Sequence, residues 1–126
     1  MAEMIKGCGV DIIEIDRIAR AMQKPGFIQR IFTADEQQLL HGRPVQSWAA
    51  RFAAKEAVMK ALGCGWRQGV TFQDIVILRD QNGKPVVELR GKAREIARAQ
   101  GVAAVHLSLS HNRSAAVAYA VSVGGG

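Results

Sequence analysis

Pro44-Val45-Gln46-Ser47-Trp48-Ala49-Ala50-Arg51-Phe52-Ala53-Ala54-Lys55-Glu56-Ala57-Val58-Met59-Lys60-Ala61-Leu62-Gly63 is the stretch on which the fold turns. Proline suits the first turn of a helix, where its missing N–H has no partner to lose, and glycine suits the position just past the end. The alanine-rich interior between them predicts one long helix over 44–62. Ala49, Ala53, Ala57 and Ala61 fall four apart and form a smooth ridge that lets the helix lie close against a sheet. On another stripe Phe52, Glu56 and Lys60 also fall four apart, so an aromatic ring, a carboxylate and an ammonium share a face.

Working outward, the mostly apolar run Ile5 to Ile15 contains Asp11 and Glu14 and predicts a buried strand. Asp16 to Gln23 has helical spacing, with Ile15, Ile18 and Met22 on one stripe, and Pro25-Gly26 breaks it. Thr33-Ala34-Asp35-Glu36 is a capping box opening a short helix that ends near Gly42. After the long helix, Gly63 to Gly69 is a glycine-punctuated loop. Ile75–Leu78 and Val86–Leu89 flank Asn82-Gly83, a hairpin signal. Lys92 to Gln100 is a short basic helix stopped by Gly101, and Val105–Ser110 and Ala115–Val123 close the chain as strands. The expected fold class is α+β: a mainly antiparallel sheet packed on one long helix plus short helices, in a single domain 1–126 with 124–126 as a flexible tail.

The 126 residues suit one domain, and 48% hydrophobic composition excludes a disordered chain. Lys and Arg total 17 against 11 acidic residues, a net charge of +6, which favours an anionic partner. Cys8 and Cys64 form no C-x-x-C pair and no zinc-ligand spacing, and no stretch approaches a membrane span or a signal peptide. A cytoplasmic protein with free thiols is the simplest expectation.

Three places carry chemistry. Asp11, in Gly9-Val10-Asp11-Ile12, is a carboxylate in an apolar strand, which is costly unless it is paired or holds a metal; an Asp that pairs with a Lys or caps a turn would look the same. Glu56 and Lys60 could be an ordinary surface pair worth about 0.3–0.5 kcal/mol. With Asp11 they could instead supply two carboxylates for Mg²⁺ and an ammonium for a diphosphate. In Ser108-Leu109-Ser110-His111-Asn112-Arg113, His111 with Ser110 and Arg113 could grip a phosphate, although a histidine at a strand end is usually structural. Between Arg17 and Arg30 lie Arg20 and Lys24 but no acidic residue beyond Arg17, while Met22, Phe27 and Ile28 add apolar side chains. That pattern is either a solvated helix face or a docking surface for an acidic helix.

Taken together, Gly9-Val10-Asp11-Ile12-Ile13-Glu14-Ile15-Asp16-Arg17-Ile18, Arg51-Phe52-Ala53-Ala54-Lys55-Glu56-Ala57 and Lys60-Ala61-Leu62-Gly63 resemble the holo-acyl-carrier-protein synthases, the small bacterial members of the phosphopantetheinyl transferase superfamily. Phe72-Gln73-Asp74-Ile75, Asn82-Gly83-Lys84-Pro85 and Leu109-Ser110-His111 extend the resemblance, which runs from about Lys6 to Val121. The resemblance implies Mg²⁺ on Asp11 and Glu56, with Lys60 completing the catalytic set. It implies coenzyme A contacts at Lys60, His111 and Ser110, and at Arg51, Gly63 and the Gly83-Lys84-Pro85 turn. It places the docking of an acidic apo-acyl carrier protein on Arg17, Ala21, Phe27 and Arg30, with Met22 beside an Ala21 that is larger in much of the family. It also implies a homotrimer with sites between subunits.

The implied reaction moves phosphopantetheine from coenzyme A to a carrier-protein serine, which attacks the β-phosphate and expels 3′,5′-ADP, in the service of fatty acid biosynthesis. Proton removal from the serine is open between Glu56 and a metal-bound water. Two other classes compete. A basic nucleic-acid-binding module explains the charge but leaves Asp11, Glu56 and Lys60 idle, and the aromatic residues form no interleaved basic stripe. A Mg²⁺-dependent nuclease would use the carboxylates but not coenzyme A. The expected partners are therefore carrier protein and coenzyme A, with neither nucleic acid nor membrane.

Overall fold

The computed structural model describes residues 3–125. Strand β1 (Glu3–Glu14) pairs antiparallel with β5 (Ala115–Gly125), which pairs with β4 (Val102–His111) on its other side, giving the order β1-β5-β4. Helices α1 (Ile15–Met22), α2 (Phe27–Ile31) and α3 (Ala34–Leu40) lead into α4 (Val45–Leu62), which lies across one face of this sheet. A two-stranded hairpin, β2 (Ile75–Arg79) and β3 (Pro85–Leu89), and helix α5 (Gly91–Ala99) complete the α+β fold.

The alanine ridge acts as its spacing predicts. Ala49, Ala53 and Ala57 are wholly buried and Ala61 nearly so, facing Ala116, Ala118 and Ala120 of β5. Opposite them β1 presents Gly7 and Gly9, where a Cβ would collide with the carbonyls of Ala61 and Ala57. Small side chains on both partners bring helix and strand backbones close, which lets short polar groups from each meet. Gly63 ends α4 in the left-handed conformation at φ 64°, as its position past the last alanine predicts. Thr33 and Glu36 form the predicted capping box of α3.

Several expectations are corrected. The tail is not free at Gly124 and Gly125: both continue β5, opposite Met4 and Glu3. A Cβ at Gly124 would strike the Gly101 carbonyl, so glycine there answers a packing need. Gly126 lies outside the described residues. Strand β1 buries only one side. Gly9 and Ile13 turn inward, while Val10 and Ile12 on the opposite side are exposed. The hairpin closes through a longer loop than a two-residue Asn-Gly turn: the Asp80 N–H donates to the Lys84 carbonyl, and Gly83 takes φ 82°. Helix α2 was not foreseen.

Candidate active site

Where β1 and α4 cross, Asp11 meets Lys60 and Glu56. Lys60 Nζ donates to Asp11 Oδ1 and to the Val10 carbonyl, both at 3.0 Å. Asp11 is largely covered, and its second oxygen, Oδ2, is buried without a hydrogen-bond partner among the described residues. The Glu56 carboxyl is held above its ordinary value, first by burial, then by the charge of Asp11 and, least, by a hydrogen bond to Asp11 that its protonated form can make; Lys60 and Arg17 oppose the rise. The Lys60 ammonium thus pairs with Asp11, while Glu56 stands close enough to Asp11 to feel its charge. An orphaned buried oxygen beside a repelled carboxyl is a donor set short of a cation, and hard oxygen ligands in that number suit Mg²⁺.

Gly63 and Lys60 share an open cavity of about 430 Å³ with Lys6, Gly7 and Cys8, so these two predicted coenzyme A contacts do come together. Arg51 does not join them. Its guanidinium is lowered by burial and by Arg43 and Arg79, with Glu36 opposing. These neighbours share no member with those of Glu56, because Arg51 and Glu56 stand five residues apart on a helix and so point to different sides. The Gly83-Lys84-Pro85 turn follows Arg79 along the hairpin between β2 and β3. His111 and Ser110 close β4, two strands from β1, on the register rows of Ala116–Ile13 and Val117–Ile12. Lys60 with Gly63 line one cavity, Ser110 and His111 line another with Ile12, and Arg51 lines neither.

Arg17, Ala21, Phe27 and Arg30 line a common cavity of about 410 Å³ with Arg20 and Lys24. Met22 does not line it; its side chain packs instead on the core. Phe27 stacks toward Phe52, and Phe52 on Phe72, with ring centres 6.1 and 5.3 Å apart. This aromatic column ties the basic surface to α4 one turn before Glu56.

Sequence reasoning passed over Lys55 and Glu36. Both are fully buried; Lys55 Nζ donates to Glu36 Oε1 at 2.7 Å and to the carbonyls of Phe72 and Ile75 at 2.9 and 2.6 Å. Glu36 in turn accepts the N–H groups of Thr33 and Ile77. Every strong valence of the pair is satisfied, although burial still lowers the Lys55 ammonium against the opposing pull of Glu36. The signal was a lysine in an alanine-rich stretch, one helical turn after Arg51.

With this geometry described, comparison with known proteins is specific. Residues 7–120 match the 4′-phosphopantetheinyl transferase superfamily. The chain is 48% identical over 123 residues to the holo-[acyl-carrier-protein] synthase of Alkaliphilus oremlandii, covering 95% of this chain and 100% of that one. It is 50% identical over 118 residues to the corresponding synthase of Ruminiclostridium cellulolyticum, covering 90% and 88%. The structure superposes with TM-score 0.81 on a holo-(acyl-carrier-protein) synthase from Bacillus anthracis solved in complex with coenzyme A (3′,5′-ADP), at 36% identity over 97% of this chain and 99% of that one.

Proposed function

This chain belongs to the 4′-phosphopantetheinyl transferase superfamily, and from that premise we propose that it transfers 4′-phosphopantetheine from coenzyme A to a serine of an apo-acyl carrier protein. The products are 3′,5′-ADP and the holo carrier. The observation that carries the chemistry is the Asp11–Glu56 pair with its orphaned Oδ2 beside Lys60. The nucleic-acid-binding reading leaves that pair idle, and neither it nor the nuclease reading finds a counterpart among the relatives named above.

Asp11 and Glu56 would hold Mg²⁺. When bound, the metal supplies positive charge to the coenzyme A diphosphate. Lys60, already poised at 3.0 Å from Asp11, orients that carboxylate and turns its remaining N–H toward the phosphate, offsetting charge that grows on the leaving group. Proton removal from the serine falls to Glu56 or to a metal-bound water. Arg17, Arg20, Lys24 and Arg30 steer an acidic carrier helix, and Phe27 gives it an apolar anchor.

Assembly follows from the dispersal of the other contacts. Arg51 with the hairpin turn, and His111 with Ser110, complete the coenzyme A site from a neighbouring copy. The uncovered sheet face supports this: Ile5, Val10, Ile12 and Tyr119 are 47–70% exposed along one side of β1 and β5. Such a patch on a small domain marks an interface. The assembly is a homotrimer by family resemblance. Two free cysteines, Cys8 and Cys64, suit the reducing cytoplasm, where fatty acid biosynthesis consumes the holo carrier.

The test is intact-mass spectrometry of apo carrier protein incubated with this chain, coenzyme A and Mg²⁺. The expected result is a gain of one phosphopantetheine that a chelator abolishes. Several apo carriers left unmodified would refute the transferase reading.

A further inference from the structure

The three-stranded sheet turns one face to α4 and the other outward. Cross-strand partners in an antiparallel sheet share a face, so the register defines the outward side row by row. Cys8, Val121 and His106 form one row, and Val10, Tyr119 and Ser108 the next. Ile12, Val117 and Ser110 lie beyond them, with Ile5 and Val123 on the other side of Cys8. His106 is exposed in the middle of β4, among rows whose other members carry aliphatic, hydroxyl or thiol side chains. The outward carboxylates of β1 stand at its two ends, Glu3 opposite Gly125 and Glu14 opposite Ala115. His111 closes β4 beside Ile12 and Ser110, toward the Glu14 end. The charges of the elements packed on β4 lie elsewhere. Arg51, Lys55, Glu56 and Lys60 belong to α4, on the opposite face, and Lys6 lines the Lys60 cavity. Arg94 and Arg98 of α5 border Val105, which shares a row with buried Ser122, and Glu88 of β3 pairs with Arg90.

A neutral imidazole can be covered by an apolar partner at modest cost, whereas an imidazolium cannot be covered without a counter-charge. The rows on either side of His106 supply none. We propose that His106 makes subunit assembly sensitive to pH: neutral, it is covered when copies of the chain join through this face, and its protonation drives them apart. The inference rests on the homotrimer reading above. An imidazole ordinarily charges between about pH 5 and pH 8. Burial favours its neutral form, so the assembly holds fewer protons than the separated chains and weakens as pH falls. The end carboxylates act in the other direction, since acid neutralises them and makes them easier to bury. A thiol and a phenol, such as those of Cys8 and Tyr119 on this face, ordinarily stay neutral in that range. Where Arg51 and His111 of a neighbouring copy complete the coenzyme A site, acid takes that site apart without touching Asp11 or Glu56.

The test is analytical ultracentrifugation of the wild type and His106→Gln from about pH 8 to about pH 5.5, with circular dichroism at each pH. The expected wild type is a trimer at the upper end that dissociates as acid is added while its circular dichroism stays native. Its association constant should fall by up to roughly tenfold per pH unit for each buried imidazole, or about 10³-fold for the three copies together. His106→Gln, neutral throughout, stays associated over the whole range. A wild-type association constant that does not fall overturns the proposal, as does unfolding in place of dissociation. A parallel fall in His106→Gln also overturns it, by passing the effect to His111 or another group. If His106→Gln is monomeric throughout, His106→Phe replaces it: steady association supports the proposal, and a monomer or acid dissociation overturns it. A wild type that is monomeric at every pH overturns the homotrimer reading as well, and leaves the transferase reading to the mass measurement above.

Discussion

Lys55 and Glu56 are neighbours in sequence and opposites in environment. Lys55 is fully buried, paired with Glu36 and bonded to two carbonyls. Glu56 is half-buried beside Asp11, a second carboxylate, one of whose oxygens has no partner. One step of about 100° around α4 separates a satisfied charge from a frustrated one. The satisfied pair locks α3, α4 and the start of β2 together. The frustrated pair stores unmet electrostatic need where a cationic ligand can relieve it. Burial alone does not mark a functional charge; the unmet valence does.

This contrast can be broken at either side. Lys55→Met leaves Glu36 charged and unpaired in the core, so stability should fall by about 3–5 kcal/mol, measured by urea unfolding. Replacing Glu36 by Gln in the same chain should restore part of the loss, since the buried charge then disappears. Glu56→Gln should do the reverse. Transfer should drop by roughly 10²–10³-fold or more while circular dichroism stays native.

The same Glu56→Gln variant sharpens the contrast through pH. A carboxyl raised in the folded state contributes stability that is fully present below its unfolded value and is lost as pH rises through its folded value. At neutral pH, without metal, the variant should therefore be more stable than the wild type. The gap should close as pH falls below the ordinary glutamate range. A variant less stable than the wild type at neutral pH would mean that Glu56 is satisfied, like Lys55.

Much of this architecture was legible in the residues because its signals are local. The Thr33–Glu36 capping box, the Gly63 stop and the alanine ridge each act within a few positions, and each appears where expected. Helix α2 has five residues, too few to show a period, and follows a Pro-Gly break that reads as loop. Gly124 and Gly125 look like a tail because glycine marks both loose ends and tight packing, and only the nearby Gly101 backbone tells them apart. In the site, Asp11, Glu56 and Lys60 were identified together through spacing and family resemblance. Arg51 shares their motif but faces elsewhere, since helix rotation separates residues five apart. The Lys55–Glu36 pair spans 19 positions, and the Glu36 side chain was already accounted for by its cap. No local rule connects the two.

The most direct test of the central claim is thermal unfolding with saturating coenzyme A, as Mg²⁺ is titrated into the wild type and Glu56→Gln. A ligand that binds the folded form stabilises it in proportion to RT ln(1 + [L]/Kd). The wild type should gain stability steadily with Mg²⁺, and Glu56→Gln should gain little or none. Equal Mg²⁺ stabilisation of both proteins would contradict the account, because the frustrated carboxylate pair would then not be what holds the metal.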